Sequence, residues 1–152
     1  MHTSSTKDRE MIITRDIQAP RDLLWRAWTE PEHLIKWWGP NGFTNTFHEI
    51  SVKPGGVWRF MMHSPDGVDY PNKIIYKELV KPERIVYVHA EDGAKVHHFE
   101  SVVTFDDLGN GKTRVTMKVL FVTKEEFERV KGYAIEGGQQ TLGRLAEHVK
   151  TM

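Results

Sequence analysis

Residues 123–150 read TKEEFERVKGYAIEGGQQTLGRLAEHVK, and the spacing within this stretch decides the architecture. Thr123 and Glu126 form a T-x-x-E capping box, in which each side chain is able to satisfy a backbone N–H that the first helical turn leaves free. Val122 and Phe127 flank the box at the spacing of a hydrophobic staple. Phe127, Ala134, Gly138, Leu142, Leu145 and Val149 then fall on one helical stripe, with Arg129, Glu136, Arg144 and Glu147 away from it. A helix of this length runs about 40 Å and needs a wide apolar surface beneath it, which only a sheet provides. Gly132, Gly137, Gly138 and Gly143 interrupt the pattern, each at a cost of about 0.5–1 kcal/mol relative to alanine. Gly138 holds a stripe position where leucine is expected. Two readings stand: a strand or kink brings backbone close at that point, or space is left between helix and sheet.

Upstream of the helix the period changes from 3.6 to two. Phe43–Val52, Val57–His63, Tyr70–Val80, Arg84–Glu91, His97–Phe105 and Thr113–Phe121 read as strands separated by short Gly, Pro and Asp turns. Short connections between consecutive strands predict an antiparallel meander. Met11–Ile17 is a further β-branched strand. Pro20 then opens a helix over Asp22–Thr29, and Pro31 opens a second to about Trp37, closed by the Gly39–Gly42 turn. The fold class is α+β, with a curved antiparallel sheet wrapped around the long C-terminal helix. Residues 1–10 read as a disordered tail and 11–152 as one domain.

Composition narrows the function classes. The chain has 152 residues, with Lys plus Arg and Asp plus Glu at 21 each, so no net field draws it to nucleic acid or an anionic membrane. It has no cysteine, which removes disulfides, thiolate nucleophiles and Cys–zinc sites. No apolar h-region and no apolar run of about 18 residues occurs, so a cytoplasmic location is expected.

Residues 15–43, RDIQAPRDLLWRAWTEPEHLIKWWGPNGF, carry a family signature. Ala19-Pro20, Trp25 and Trp28, Thr29-x-Pro31 and Trp37-Trp38-Gly39-Pro40 resemble the activator-of-heat-shock-protein-90-ATPase homologue family. Pro54-Gly55-Gly56-x-Trp58-Arg59-Phe60 and Pro82-Glu83-Arg84-Ile85 look like further motifs of it. The family belongs to the START-like, polyketide-cyclase superfamily, so the resemblance implies a helix-grip (Bet v 1-like) fold. In that superfamily the space between sheet and helix commonly holds an apolar small molecule, some members are enzymes, and the eukaryotic namesake stimulates a chaperone ATPase. The resemblance also connects the chain with stress response.

All five tryptophans lie between residues 25 and 58, a density that suits either core packing or the aromatic wall of a small-molecule site. Adjacent Trp37 and Trp38 do not share a helical face, so one is expected inward and the other at a rim. Ligand contact is expected from Trp38, Trp58, Phe60, Met62, His98, Phe99, Glu100, Met117, Ala134, Gly138 and Leu142. The histidines lack metal-site spacing and no nucleophile motif occurs, so neither a metal, a cofactor nor a catalytic residue is assigned. Glu49, Tyr76, Tyr87, Glu100 and Tyr133 are the candidate acid–base groups. The leading expectation is non-catalytic binding of a small hydrophobic or aromatic ligand. The alternatives are a co-chaperone-type protein that partners a chaperone and an acid–base enzyme of polyketide-cyclase type. Either a monomer or a homodimer is compatible with the residues.

Overall fold

The computed structural model describes residues 7–90 and 97–152, with the backbone alone at Lys7, Ala90, His97 and His98. A 3-10 turn, Lys7–Arg9, leads into β1, Glu10–Ile17. Residues 7–10, expected to belong to the tail, are therefore structured, and the Arg9 guanidinium holds them to β7 by donating to the Phe121 carbonyl at 2.7 Å. Two short helices follow, α1 at Arg21–Thr29 and α2 at Pro31–Trp37. Then come β2 at Thr44–Ile50, β3 at Val57–His63, β4 at Asp69–Val80 and β5 at Arg84–Ala90. The chain continues with β6 at His97–Gly109, β7 at Lys112–Phe121 and α3 at Lys124–Val149.

The strands form one antiparallel sheet in the order β1-β7-β6-β5-β4-β3-β2. The meander predicted from the short turns is present from β2 to β7. The first strand closes back on the last, pairing Ile13 with Met117. Between β6 and β7, Asn110 and Gly111 both take positive φ, the two-residue turn that Asn-Gly favours because it matches strand twist. Register shifts occur at Phe47/Glu49, Tyr76/Glu78, His89/Ala90 and Asp107/Gly109, irregularities of the kind that bend a strand and increase its twist.

The Thr123 hydroxyl caps α3 by accepting from the Glu126 N–H at 3.0 Å. Glu126 turns its own carboxylate to Arg129 at 2.5 Å, so the box is completed on one side only. Val122 is exposed, and the ring that meets Phe127 is Phe121, at 5.4 Å between centroids. The expected staple is thus shifted by one residue, because β7 keeps Phe121 on the inner face as its last member. Val130, Thr141 and Ala146 join Leu142, Leu145 and Val149 as the buried face of α3. α3 lies across β1 and the neighbouring edge of the sheet, while α1, α2 and the turn after them close the rest of the concave face.

Candidate ligand site on the concave face

Strand parity assembles the floor. Trp58 and Phe60 of β3, Ile74 and Tyr76 of β4, and Ile85 and Tyr87 of β5 all point inward and are buried. Tyr76 stands opposite Tyr87, and Tyr87 opposite Ser101 of β6, so one row crosses three strands. The Trp58 ring stacks on Phe60 at 4.1 Å and lies nearly parallel to Tyr76, with centroids 6.5 Å apart.

The residues after α2 supply the roof. Trp37 is in the last helical turn, edge-on to Trp28 at 4.8 Å, with its indole N–H donating to the Ala27 carbonyl. Trp38 leaves the helix in extended geometry (φ −65°, ψ 132°) and reaches Trp58 at 5.1 Å, Phe60 at 6.5 Å and Tyr87 at 6.4 Å. Both rings are buried, so the expectation that one stands at the rim does not hold. The reason is local. The helix ends between the two tryptophans, and the change in ψ turns the second ring to the same interior.

A polar seam on α3 holds this roof in place. Arg144 Nη1 donates to the carbonyls of Trp38, Gly39 and Pro40 at 3.3, 3.0 and 2.9 Å, and Nη2 to that of Lys36 at 3.3 Å. One turn earlier the Gln140 side-chain oxygen accepts from the Asn41 N–H at 3.0 Å. One turn later His148 meets His33 of α2. Sequence reading placed Arg144 away from the apolar stripe without assigning it a partner. A guanidinium spaced for a helix C-terminus is the signal, but its four carbonyls lie more than 100 residues away.

Polar groups are set into the aromatic floor. Asn72 donates to the Tyr70 carbonyl, which leaves its side-chain oxygen to accept from His89 Nε2 at 2.6 Å. Trp58 Nε1 and the Tyr76 hydroxyl are buried and have no hydrogen-bond partner among the described residues. Each such atom costs about 1–3 kcal/mol when left unpaired. Burial, and after it the neighbouring Tyr87, hold the Tyr76 phenol well above its usual ionisation range. Burial pushes Tyr87 up to about 12, with the Ser101 hydroxyl close by working the other way. No Asp, Glu, Lys or Arg is buried among the described residues.

At one end of the sheet this interior approaches the surface. Met62 ends β3, Phe99 begins β6, and Phe127 and Ala134 lie on the first half of α3, each half-buried against the core. His89 is half-buried there too, with its ring 4.5 Å from Phe99.

The expected contact residues separate into groups. Trp38, Trp58, Phe60 and Met117 lie in the covered floor and roof, and Met62, Phe99 and Ala134 at the half-buried end. Leu142 is fully buried in the closed C-terminal half of α3. Gly138 does not provide space: a Cβ there would overlap Ile13 Cδ1, and Met11 Cε is 3.9 Å away. Its role is close approach of helix to strand. Glu100 is exposed, since it alternates with the inward Phe99 and Ser101 and therefore faces outward. The side chain of His98 lies outside the described residues. Asn72 and Ser101 were not anticipated, although their parity with Phe60 and Phe99 would have placed them.

Among the described residues no three His, Cys, Asp or Glu side chains stand close enough to hold a metal. No helix is long and apolar enough to cross a membrane.

The fold recurs in solved structures. A protein from Nitrosomonas europaea shares 22% identity over 98% of this chain and 99% of its own, with a TM-score of 0.84. One from Chromobacterium violaceum shares 26% over 91% and 95%, with a TM-score of 0.77. The AHSA1 protein of Silicibacter pomeroyi shares 16% over 93% and 98%, with a TM-score of 0.73. No curated protein matches the chain in sequence. Residues 18–150 match the family described as Activator of Hsp90 ATPase homolog 1-like protein, and the chain belongs to that family.

Proposed function

We propose that this protein binds a small hydrophobic or aromatic molecule between sheet and α3, without covalent chemistry. The observation that carries the reading is the apolar end of the concave face, where half-buried Met62, Phe99, Phe127 and Ala134 pack against an aromatic interior of buried rings. A site of this kind is apolar over most of its wall with a few polar groups set into it. The acid–base alternative has less support: Glu100 faces outward, and Tyr76 and Tyr87 are held protonated far above neutral pH by burial.

NMR titration with naphthalene-class probes tests the proposal. Expected are intermolecular contacts from the probe to the methyl groups of Met62 and Ala134, lost in Ala134→Trp, which places a large ring at this end. Probe contacts confined to the outer face of the sheet, or no binding by any member of an apolar aromatic panel, overturn it.

A second reading, a co-chaperone-type contact, is favoured by the exposed Val122 and the 67% exposed Tyr133 along the start of α3. Stimulation of a chaperone ATPase that is lost in Tyr133→Ser supports it, and no stimulation at saturating protein rejects it.

A further inference from the structure

We infer that the ligand is a neutral aromatic molecule bearing an oxygen that accepts hydrogen bonds, such as an aryl ketone or a phenol, taken by Tyr76 and Trp58. The inference rests on the binding function proposed above and specifies its chemistry.

Two buried polar atoms without partners among the described residues occupy one region of the concave face: Trp58 Nε1 and the Tyr76 hydroxyl. Their residues are each 1% exposed, so bulk water does not reach them. They come from the neighbouring strands β3 and β4, with ring centroids 6.5 Å apart. An indole N–H donates only, while a phenol hydroxyl donates or accepts. The shared requirement is therefore an acceptor, and a carbonyl or phenolic oxygen meets it.

Charge is excluded by the surroundings. The buried polar side chains among the described residues are Asn72, Ser101, Thr113 and Thr141, all neutral. A carboxylate or ammonium entering here loses its hydration and meets no buried Asp, Glu, Lys or Arg among the described residues. Flat rings at Trp58, Phe60 and Tyr76 favour a planar partner, since offset and edge-on ring contacts add to buried area.

Three probes of matched size separate the terms: 2-acetonaphthone (neutral, with an acceptor), 2-ethylnaphthalene (neutral, without one) and 2-naphthoate (anionic). Calorimetric titration of the full chain is expected to rank the ketone about 10-fold or more above both others, the discrimination a buried hydrogen bond supplies. Tyr76→Phe, which removes one oxygen and no ring, is expected to reduce the ketone-to-hydrocarbon ratio to within about 2-fold. Equal binding of ketone and hydrocarbon, tighter binding of the naphthoate, or an unchanged ratio in Tyr76→Phe overturns the inference and leaves the binding function standing. Failure of all three probes, 2-ethylnaphthalene included, overturns the binding function and this inference with it.

Discussion

His33 Nδ1 lies 3.1 Å from His148 Nε2, so α2 and the last turn of α3 are joined by a hydrogen bond between two imidazoles. Such a bond needs one ring to donate and the other to accept, so the pair does not take a second proton without breaking it. Glu30 Oε1 lies 3.6 Å from His33 Nε2, the other nitrogen of that ring. Burial, then His33 and then Lys36, lower the His148 value below the ordinary imidazole range. Lys36, Arg144 and Glu147 line the cleft beside it.

The sign of the pH effect follows from this lowering. The unfolded chain takes up the His148 proton at a higher pH than the folded chain, so stability falls as pH drops below about 6.5. The melting temperature is expected to decline between neutral pH and about pH 5, ahead of the acid losses from carboxylates. His148→Gln removes the titration and should flatten this part of the profile. A wild-type curve that is flat through the window, or a decline unchanged in the variant, contradicts the assignment.

Arg144 is expected to govern how firmly Trp38 is held. One guanidinium serves four carbonyls from Lys36 to Pro40, a fork that a lysine point charge does not reproduce. Arg144→Met should cost about 2–3 kcal/mol, because bonds to a charged donor are among the stronger ones. Amide exchange at residues 36–43 should accelerate more than in the sheet, with Arg144→Lys intermediate. Uniform acceleration across all elements would show a general loss of stability and no specific hold on the roof.

Gly138 and Ile13 form a steric pair across helix and strand. Replacing Gly138 by alanine gains about 1 kcal/mol of helix propensity, but the new methyl meets Ile13 Cδ1 inside a filled core. Overpacking of this kind costs about 1–3 kcal/mol, so Gly138→Ala should be neutral to destabilising and Gly138→Leu clearly destabilising. Ile13→Val removes the offending Cδ1. The double variant Gly138→Ala with Ile13→Val should therefore be more stable than the sum of the single changes predicts, measured by denaturant unfolding. Strict additivity would mean that the two side chains do not compete for the same space.

Much of this protein follows from sequence-local physics. Alternation over Val57–His63, the proline at the start of α2 and the Thr123 cap each act within a few residues, and the elements appear where those signals put them. The tryptophan pair followed by Gly39-Pro40 points to the family because the pattern itself is distinctive.

The candidate site was legible only in part. That Trp58 and Phe60 face inward follows from parity along one strand. Which row lies beside Tyr76 depends on pairing register, and the bulges at Tyr76/Glu78 and His89/Ala90 alter parity in a way no single strand reveals. The end of α2 turned Trp38 inward. The placement of β1 beside β7 brought Ile13 under Gly138, and the fold carried the carbonyls of residues 36–40 to Arg144. Backbone propensity and periodicity are properties of neighbouring residues, so the sequence by itself determined the elements and their apolar faces. The Ile13 methyl that fills the space at Gly138 and the carbonyls that satisfy Arg144 come from segments more than 100 residues distant, and only the tertiary structure decided those.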